Sequence, residues 1–179
     1  LYLRSIEIFE PGAFEFGGTP GTILLDDVHA TVGPSTEEQI LEDFEGENGW
    51  RTIVTAALSS DIIFTTENDP HGGSRAGAFS FGNEADKGLR GIYRSPTEGP
   101  LPIVVSSSLS ASTGQNVGDA FLAQIEGRWI PVVIKGVVDY FPTLSPEPRG
   151  FIIADLDDLL GHLNVLLGAY ETKPNELFF

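Results

Sequence analysis

With 179 residues, 41% of them hydrophobic and 12 of them Phe, the chain is long enough to bury a core and too apolar to stay disordered. Lys and Arg number 10 against 26 Asp and Glu, a formal charge of −16, so the surface repels phosphate backbones and anionic lipid and nucleic acid is excluded as a partner. The absence of Cys removes disulfides, thiolate zinc sites and thiol nucleophiles together.

The 21 Gly and 12 Pro predict many turns and short elements. The sequence opens on Leu1 and contains no Met, which reads as a processed piece of something longer. A Cys-free chain suits the outside of the cell, where a stray thiol is a liability. There is no signal peptide and no run of 18 apolar residues, so any membrane spans of a parent protein are expected outside this piece.

Residues 1–9 are rich in β formers, with Ile6 and Ile8 alternating against Ser5 and Glu7, and predict a first strand. Pro11-Gly12 and residues 17–21 read as turns. Residues 22–31 read as one further strand, broken after Thr31 by Gly33-Pro34. Ser35 with Glu38 fits a helix capping box, but the apolar stretch that follows is short and ends at Gly46, so 40–45 reads as a strand. Further strands are predicted over 51–57, 61–66 and 75–81, a spacing that suggests a β-sandwich. Residues 95–100, Ser-Pro-Thr-Glu-Gly-Pro, look like a linker.

Beyond the linker the pattern sharpens. Residues 101–109 predict a strand that runs into a polar turn over 110–116. Residues 119–126 and 129–140 predict an antiparallel pair joined at Gly127-Arg128, with Pro131 near the start of the second strand, where a proline is tolerated. Residues 151–154 read as a short buried strand. Asp155 can cap a helix whose Leu156, Leu159, Leu160, Leu163 and Leu167 fall at helical spacing, with Asp157 and Asp158 suited to its first turn. Leu159, Leu160 and Leu163 are expected to face the sheet and His162 to be partly exposed. Gly168 would stop the helix, and 176–179 would begin a last strand. The predicted fold is α+β and β-rich: an N-terminal β-sandwich-like part over 1–98, then a C-terminal antiparallel sheet covered by one main helix over 99–179.

Residues 1–50 hold 11 acids against one base, Arg4. They form either a solvated acidic face or, in part, carboxylates converging on a cation. Catalytic constellations are missing. His29, His71 and His162 are far apart, without the pairing of a zinc site. His71-Gly72-Gly73-Ser74 is similar to an oxyanion strand, but no Gly-x-Ser-x-Gly elbow accompanies it, so it reads as a Gly-rich turn. Ser106-Ser107-Ser108 has no adjacent Lys signature, and Lys135 reads as a solvent-facing strand residue. Phosphate-binding glycine loops are absent from the sequence. A non-enzyme is expected.

From residue 100 the order of segments becomes distinctive. Pro100-Leu101-Pro102-Ile103-Val104-Val105-Ser106 is followed by Asn116-Val117-Gly118-Asp119-Ala120-Phe121 and Gly136-Val137-Val138-Asp139-Tyr140-Phe141-Pro142-Thr143-Leu144. Then come Phe151-Ile152-Ile153-Ala154-Asp155-Leu156, Leu163-Asn164 and Pro174-Asn175-Glu176-Leu177. This order resembles the extracytoplasmic domain of FtsX-like permeases, the integral subunits of MacB-type ABC transporters. The resemblance implies a non-catalytic domain outside the cytoplasmic membrane, tethered between transmembrane segments of the same permease and served by a separate ATPase subunit. A second permease copy, a lipoprotein or a carbohydrate are further partners it allows.

Residues 20–82 have a weaker likeness to carbohydrate-binding jelly-roll modules. Ile23-Leu24-Leu25-Asp26-Asp27-Val28 is similar to their closing strand, Asp43-Phe44-Glu45-Gly46 to Trp50 to their opening one, and residues 72–77 to the turn before their third. Here the closing strand comes first, so the strands are permuted or the front of one sandwich is missing. In such modules a structural calcium joins the two strands, which carries over onto Asp27 and Glu45; oxygen ligands suit Ca²⁺. No other cofactor is expected. The alternative function is therefore a secreted carbohydrate-binding module, which would need exposed Trp or Tyr faces.

Overall fold

A computed structural model describes residues 3–9, 19–31, 33, 38–46, 49–56, 58–84, 89–144, 150–165 and 172–174. The expected turns at Pro11-Gly12 and Gly17-Gly18, the capping residue Ser35, Leu167, Gly168 and the strand over 176–179 lie outside these residues. The chain is β-rich and divides into two compact units, Leu1–Ser95 and Pro96–Phe179. No helix among the described residues is long and apolar enough to cross a membrane.

The first unit contains β1 (Ser5–Phe9), β2 (Gly21–Leu25), β3 (Val28–Thr31), β4 (Glu38–Glu42), β5 (Trp50–Thr52), β6 (Ile62–Thr66), β7 (Ala76–Phe81) and β8 (Leu89–Arg94). They pair antiparallel into β1-β8-β5, β2-β7-β6 and a two-stranded β3-β4. Both three-stranded sheets feed one core. Buried Trp50 and Ile92 of the first and Phe79 of the second cluster with Phe44, flanked by Ile6, Ile8, Leu25 and Ile63. Each large side chain so buried contributes roughly 1.5–3 kcal/mol.

Three departures from the sequence-based expectation matter here. The strand expected over 22–31 is two strands, β2 and β3, broken where Asp27 takes φ 46. Asp tolerates that left-handed backbone because its short polar side chain bonds locally. β8 escaped the sequence reading because Arg90 and Arg94 hide its alternation. Arg90 is 1% exposed. Its guanidinium lies 3.7 Å from Asp61 Oδ1 and 4.5 Å from the centre of the Phe81 ring, and donates to Gly82 O. The expected strand over 51–57 is also shorter, ending at Thr52.

The second unit contains β9 (Leu101–Ser106), α1 (Ser107–Thr113), β10 (Ala120–Ile125), β11 (Arg128–Val138), β12 (Ile152–Ala154) and α2 (Leu156–Leu163). The sheet order is β10-β11-β9-β12. The expected all-antiparallel sheet is mixed, because β11 runs parallel to β9. The chain leaves β9 through α1 and returns antiparallel as β10, so β11 regains the direction of β9. Leu101, Ile103 and Val105 alternate inward beside Ile130, Val132 and Ile134, and Leu163 completes the buried cluster.

α1 replaces the end of the expected strand and its polar turn. Ser106 Oγ accepts from Leu109 N at 3.2 Å as the N-cap, and Gly114 ends the helix in the left-handed region. The β10–β11 turn is Glu126-Gly127, not Gly127-Arg128; both residues have positive φ and Ile125 pairs with Arg128. α2 starts at its expected cap, Asp155, but ends at Asn164. Leu163 lies in the core and Leu159 packs against it, whereas Leu160 is only half-buried and outside that cluster. His162, expected to be partly exposed, is buried. The boundary between the units falls between Ser95 and Pro96, inside the expected linker, whose residues are bonded each within its own unit. Ser95 N donates to Gly49 O at 2.8 Å within the first unit, and Thr97 is bonded within the second.

Candidate functional site

Sheet register builds the main polar site of the first unit. Leu25 of β2 and Thr65 of β6 both pair with Gly77 of β7. The loop after β2, carrying Asp26 and Asp27, thereby meets the loop before β7, residues 71–75. Phe44, buried in the core with φ 55, brings the following Glu45 to the same loop.

Three carboxylates then hold four of the five residues of this loop, His71, Gly72, Ser74 and Arg75. Asp26 Oδ2 accepts from His71 N at 2.6 Å and Gly72 N at 3.0 Å, while its Oδ1 accepts from Asp27 N at 2.8 Å. Glu45 Oε1 accepts from Ser74 N and Arg75 N, both at 2.7 Å, and its Oε2 from Ser74 Oγ at 2.8 Å. Asp27 Oδ2 lies 3.1 Å from His71 Nδ1, and the Asp27 carbonyl contacts His29 Nδ1. A Cβ at 72 or 73 would displace the carboxylate of Asp27 or Glu45, and at 73 the backbone itself, with φ +58, favours glycine.

Electrostatics follow from these bonds. Desolvation resists ionisation of Asp26, but the amides of Gly72, His71 and Asp27 outweigh it and hold the carboxyl below its ordinary value. Glu45 is held low by the Arg75 amide first, then by the hydroxyl and amide of Ser74. Asp61 moves the other way, because burial raises it more than Arg90 lowers it.

The two residues carried over as calcium ligands, Asp27 and Glu45, do reach one loop, but they bond different parts of it. Both oxygens of Glu45 face Ser74 and Arg75. Among the described residues no group of three or more His, Asp or Glu is placed to hold a metal ion. The amides of His71, Gly72, Ser74 and Arg75 already bond carboxylates of the same chain, so the stretch similar to an oxyanion strand works as an internal clasp. Asp26, which holds the His71–Gly72 half of the clasp, is indistinguishable from its neighbour in sequence; nothing but tertiary pairing separates the two.

Other candidates resolve in turn. Ser106 is fully buried, accepting from Leu109 N and from Phe151 N at 3.1 Å. Lys135 is exposed at a bulge in β11. Trp50 is 4% exposed, packed on Phe44, with its Nε1 donating to Glu42 at 2.9 Å and Arg94 over its ring. Arg94 also pairs with Glu42 beside a cavity of about 160 Å³ lined by Ile40, Leu41 and Asp43. Tyr93 is buried, and its hydroxyl is pushed up to about 12 by desolvation. Among the described residues of this unit, neither Trp nor Tyr offers an exposed face for a sugar.

In the second unit the turn before β10 extends the β10–β11 pairing. Asn116–Asp119 forms a turn closed by Asp119 N to Asn116 O at 3.0 Å. The turn is stitched to β11 by Gly118 N to Ile134 O at 2.8 Å and Ile134 N to Asp119 O at 3.0 Å. Val117 is exposed there, as are Tyr140 and Phe141 just past β11. Phe141 leans on Phe151 with ring centres 6.4 Å apart. No family model, curated protein or solved structure matches the chain.

Proposed function

We propose that this chain is a non-catalytic extracytoplasmic domain of an FtsX-like ABC permease. It is tethered to the cytoplasmic membrane by transmembrane segments of the same permease and recognises a substrate or partner at the cell surface or in the periplasm, coupling that recognition to transport. A separate ATPase subunit supplies the energy, and a second permease copy or a lipoprotein are the protein partners that suit it. In this reading the first unit is a jelly-roll-like β-sandwich and the second the permease-type α+β region.

One observation carries the proposal. The segments that bear the resemblance lie on one strand pair, 116–121 bonded to Ile134 of β11 and 136–144 continuing that strand, and they present Val117, Tyr140 and Phe141 to solvent. Exposed aromatic side chains at the end of a paired strand suit a protein contact, where such residues dominate binding. The carbohydrate-binding alternative loses support from the burial of Trp50 and Tyr93.

The test uses the full-length permease with its ATPase. Tyr140→Ser with Phe141→Ser should leave folding intact and lower coupled transport about tenfold or more, the scale of losing interface anchors. Undiminished transport would refute the reading. So would hydrolase turnover by the wild-type chain that disappears in Ser107→Ala or Lys135→Ala.

A further inference from the structure

The connector between β8 and β9 reads as a spacer in sequence, yet its residues are seated on α2. Pro96 lies against Gly161, where an added Cβ would stand 2.9 Å from Pro96 Cγ. Only a residue without a side chain lets the proline ring rest on the helix backbone. The next helix residue, His162, is 3% exposed, and its Nε2 lies 3.2 Å from Thr97 Oγ1. That hydroxyl donates its one proton to Gly99 O at 2.7 Å. It therefore accepts from His162, which assigns the imidazole proton to Nε2.

The helix beneath is itself fixed. Asp155 Oδ1 accepts from Asp158 N at 3.1 Å at its start, and Leu163, next to His162, enters the buried cluster. Two adjacent helix residues thus hold two adjacent connector residues, one by close packing and one by a partly buried hydrogen bond that satisfies a buried imidazole.

We propose that Gly161 and His162 form a latch that holds residues 96–99 as a strap on α2, so that tension on the entering chain is delivered to the helix and, through Leu163, to the core of the second unit. The latch requires neither a permease nor a partner, so it stands or falls apart from the proposed function.

A glutamate-specific protease reads the strap directly on the full chain. Glu98 in the strap and Glu126 in the β10–β11 turn are both exposed, so one digest followed by mass spectrometry gives both cleavage rates. Latched, the backbone around Glu98 resists the local opening that cleavage needs. Thr97→Val, which removes the hydroxyl, and Gly161→Ala, which displaces Pro96, should each raise cleavage after Glu98 relative to Glu126 by about tenfold or more. Thr97→Ser, which keeps the hydroxyl, should stay near wild type. Wild-type cleavage after Glu98 as fast as in Thr97→Val would overturn the latch. A parallel rise at Glu126 would overturn it too, because the second unit would then be opening as a whole.

Discussion

The two units close their loops by opposite means. In the first, β1 pairs with β8 and β2 with β7 across long stretches of chain, and ionised carboxylates tie the loop before β7 to the loops after β2 and β4. In the second, β10 and β11 meet through a two-residue turn, and neutral or local caps at Ser106 and Asp155 set the helices. Long-range pairing leaves loop ends to be fastened afterwards, and backbone amides facing carboxylates are a strong way to do so. Local pairing needs no such fastening. Both units should therefore answer to packing, and the first should in addition answer to acid pH.

The largest expected effects lie in the cores. Phe79→Ala in β7 should cost about 3–5 kcal/mol, and Leu163→Ala in α2 about 2–5 kcal/mol, measured by denaturant unfolding. Leu160→Ala should cost clearly less than Leu163→Ala, since Leu160 stands outside the buried cluster. Equal costs would mean that α2 is rotated on the sheet.

Ser106→Ala should come next, at about 0.5–2 kcal/mol, for it removes the α1 cap and leaves Phe151 N without its acceptor. The loss should be the same at neutral and acid pH, which sharpens the contrast with the first unit.

The acid response belongs to Asp26 and Glu45. Both ionise more readily folded than unfolded, so their stabilisation is complete above the ordinary values of 3.8 and 4.5 and is lost as the pH falls below them. Asp61 has the opposite sign: its contribution is present below 3.8 and lost as the pH rises through its raised folded value. Glu45→Gln should accordingly flatten the acid limb of a stability–pH curve. An unchanged limb would show that the clasp carries no stability.

The smallest effect expected is that of calcium. Loop amides and the Ser74 hydroxyl already occupy the carboxylate oxygens of Glu45 and Asp26, so Tm should be the same in millimolar calcium and in EDTA. A rise in calcium that vanishes in Asp27→Asn with Glu45→Gln would restore the cation reading and weaken the contrast between the units.

Sequence by itself determined the elements whose signal is local. β6, β7, β10, β11 and β12 were legible from β formers between turn residues, and α2 from Asp155 followed by leucines at helical spacing. Propensity, capping and alternation act within a few residues, so they are written where they act. Tertiary structure decided the rest. β8 became a strand because Asp61 and the Phe81 ring receive its buried Arg90. Asp26 became a clasp, and Asp27 a strand break, because β2 and β6 both lie beside β7. His162 was drawn inward by Thr97, a residue of the connector that sequence alone marks as a spacer. A charged or polar side chain has no fixed place of its own: burial costs it hydration, and only a partner brought by the fold offsets that cost.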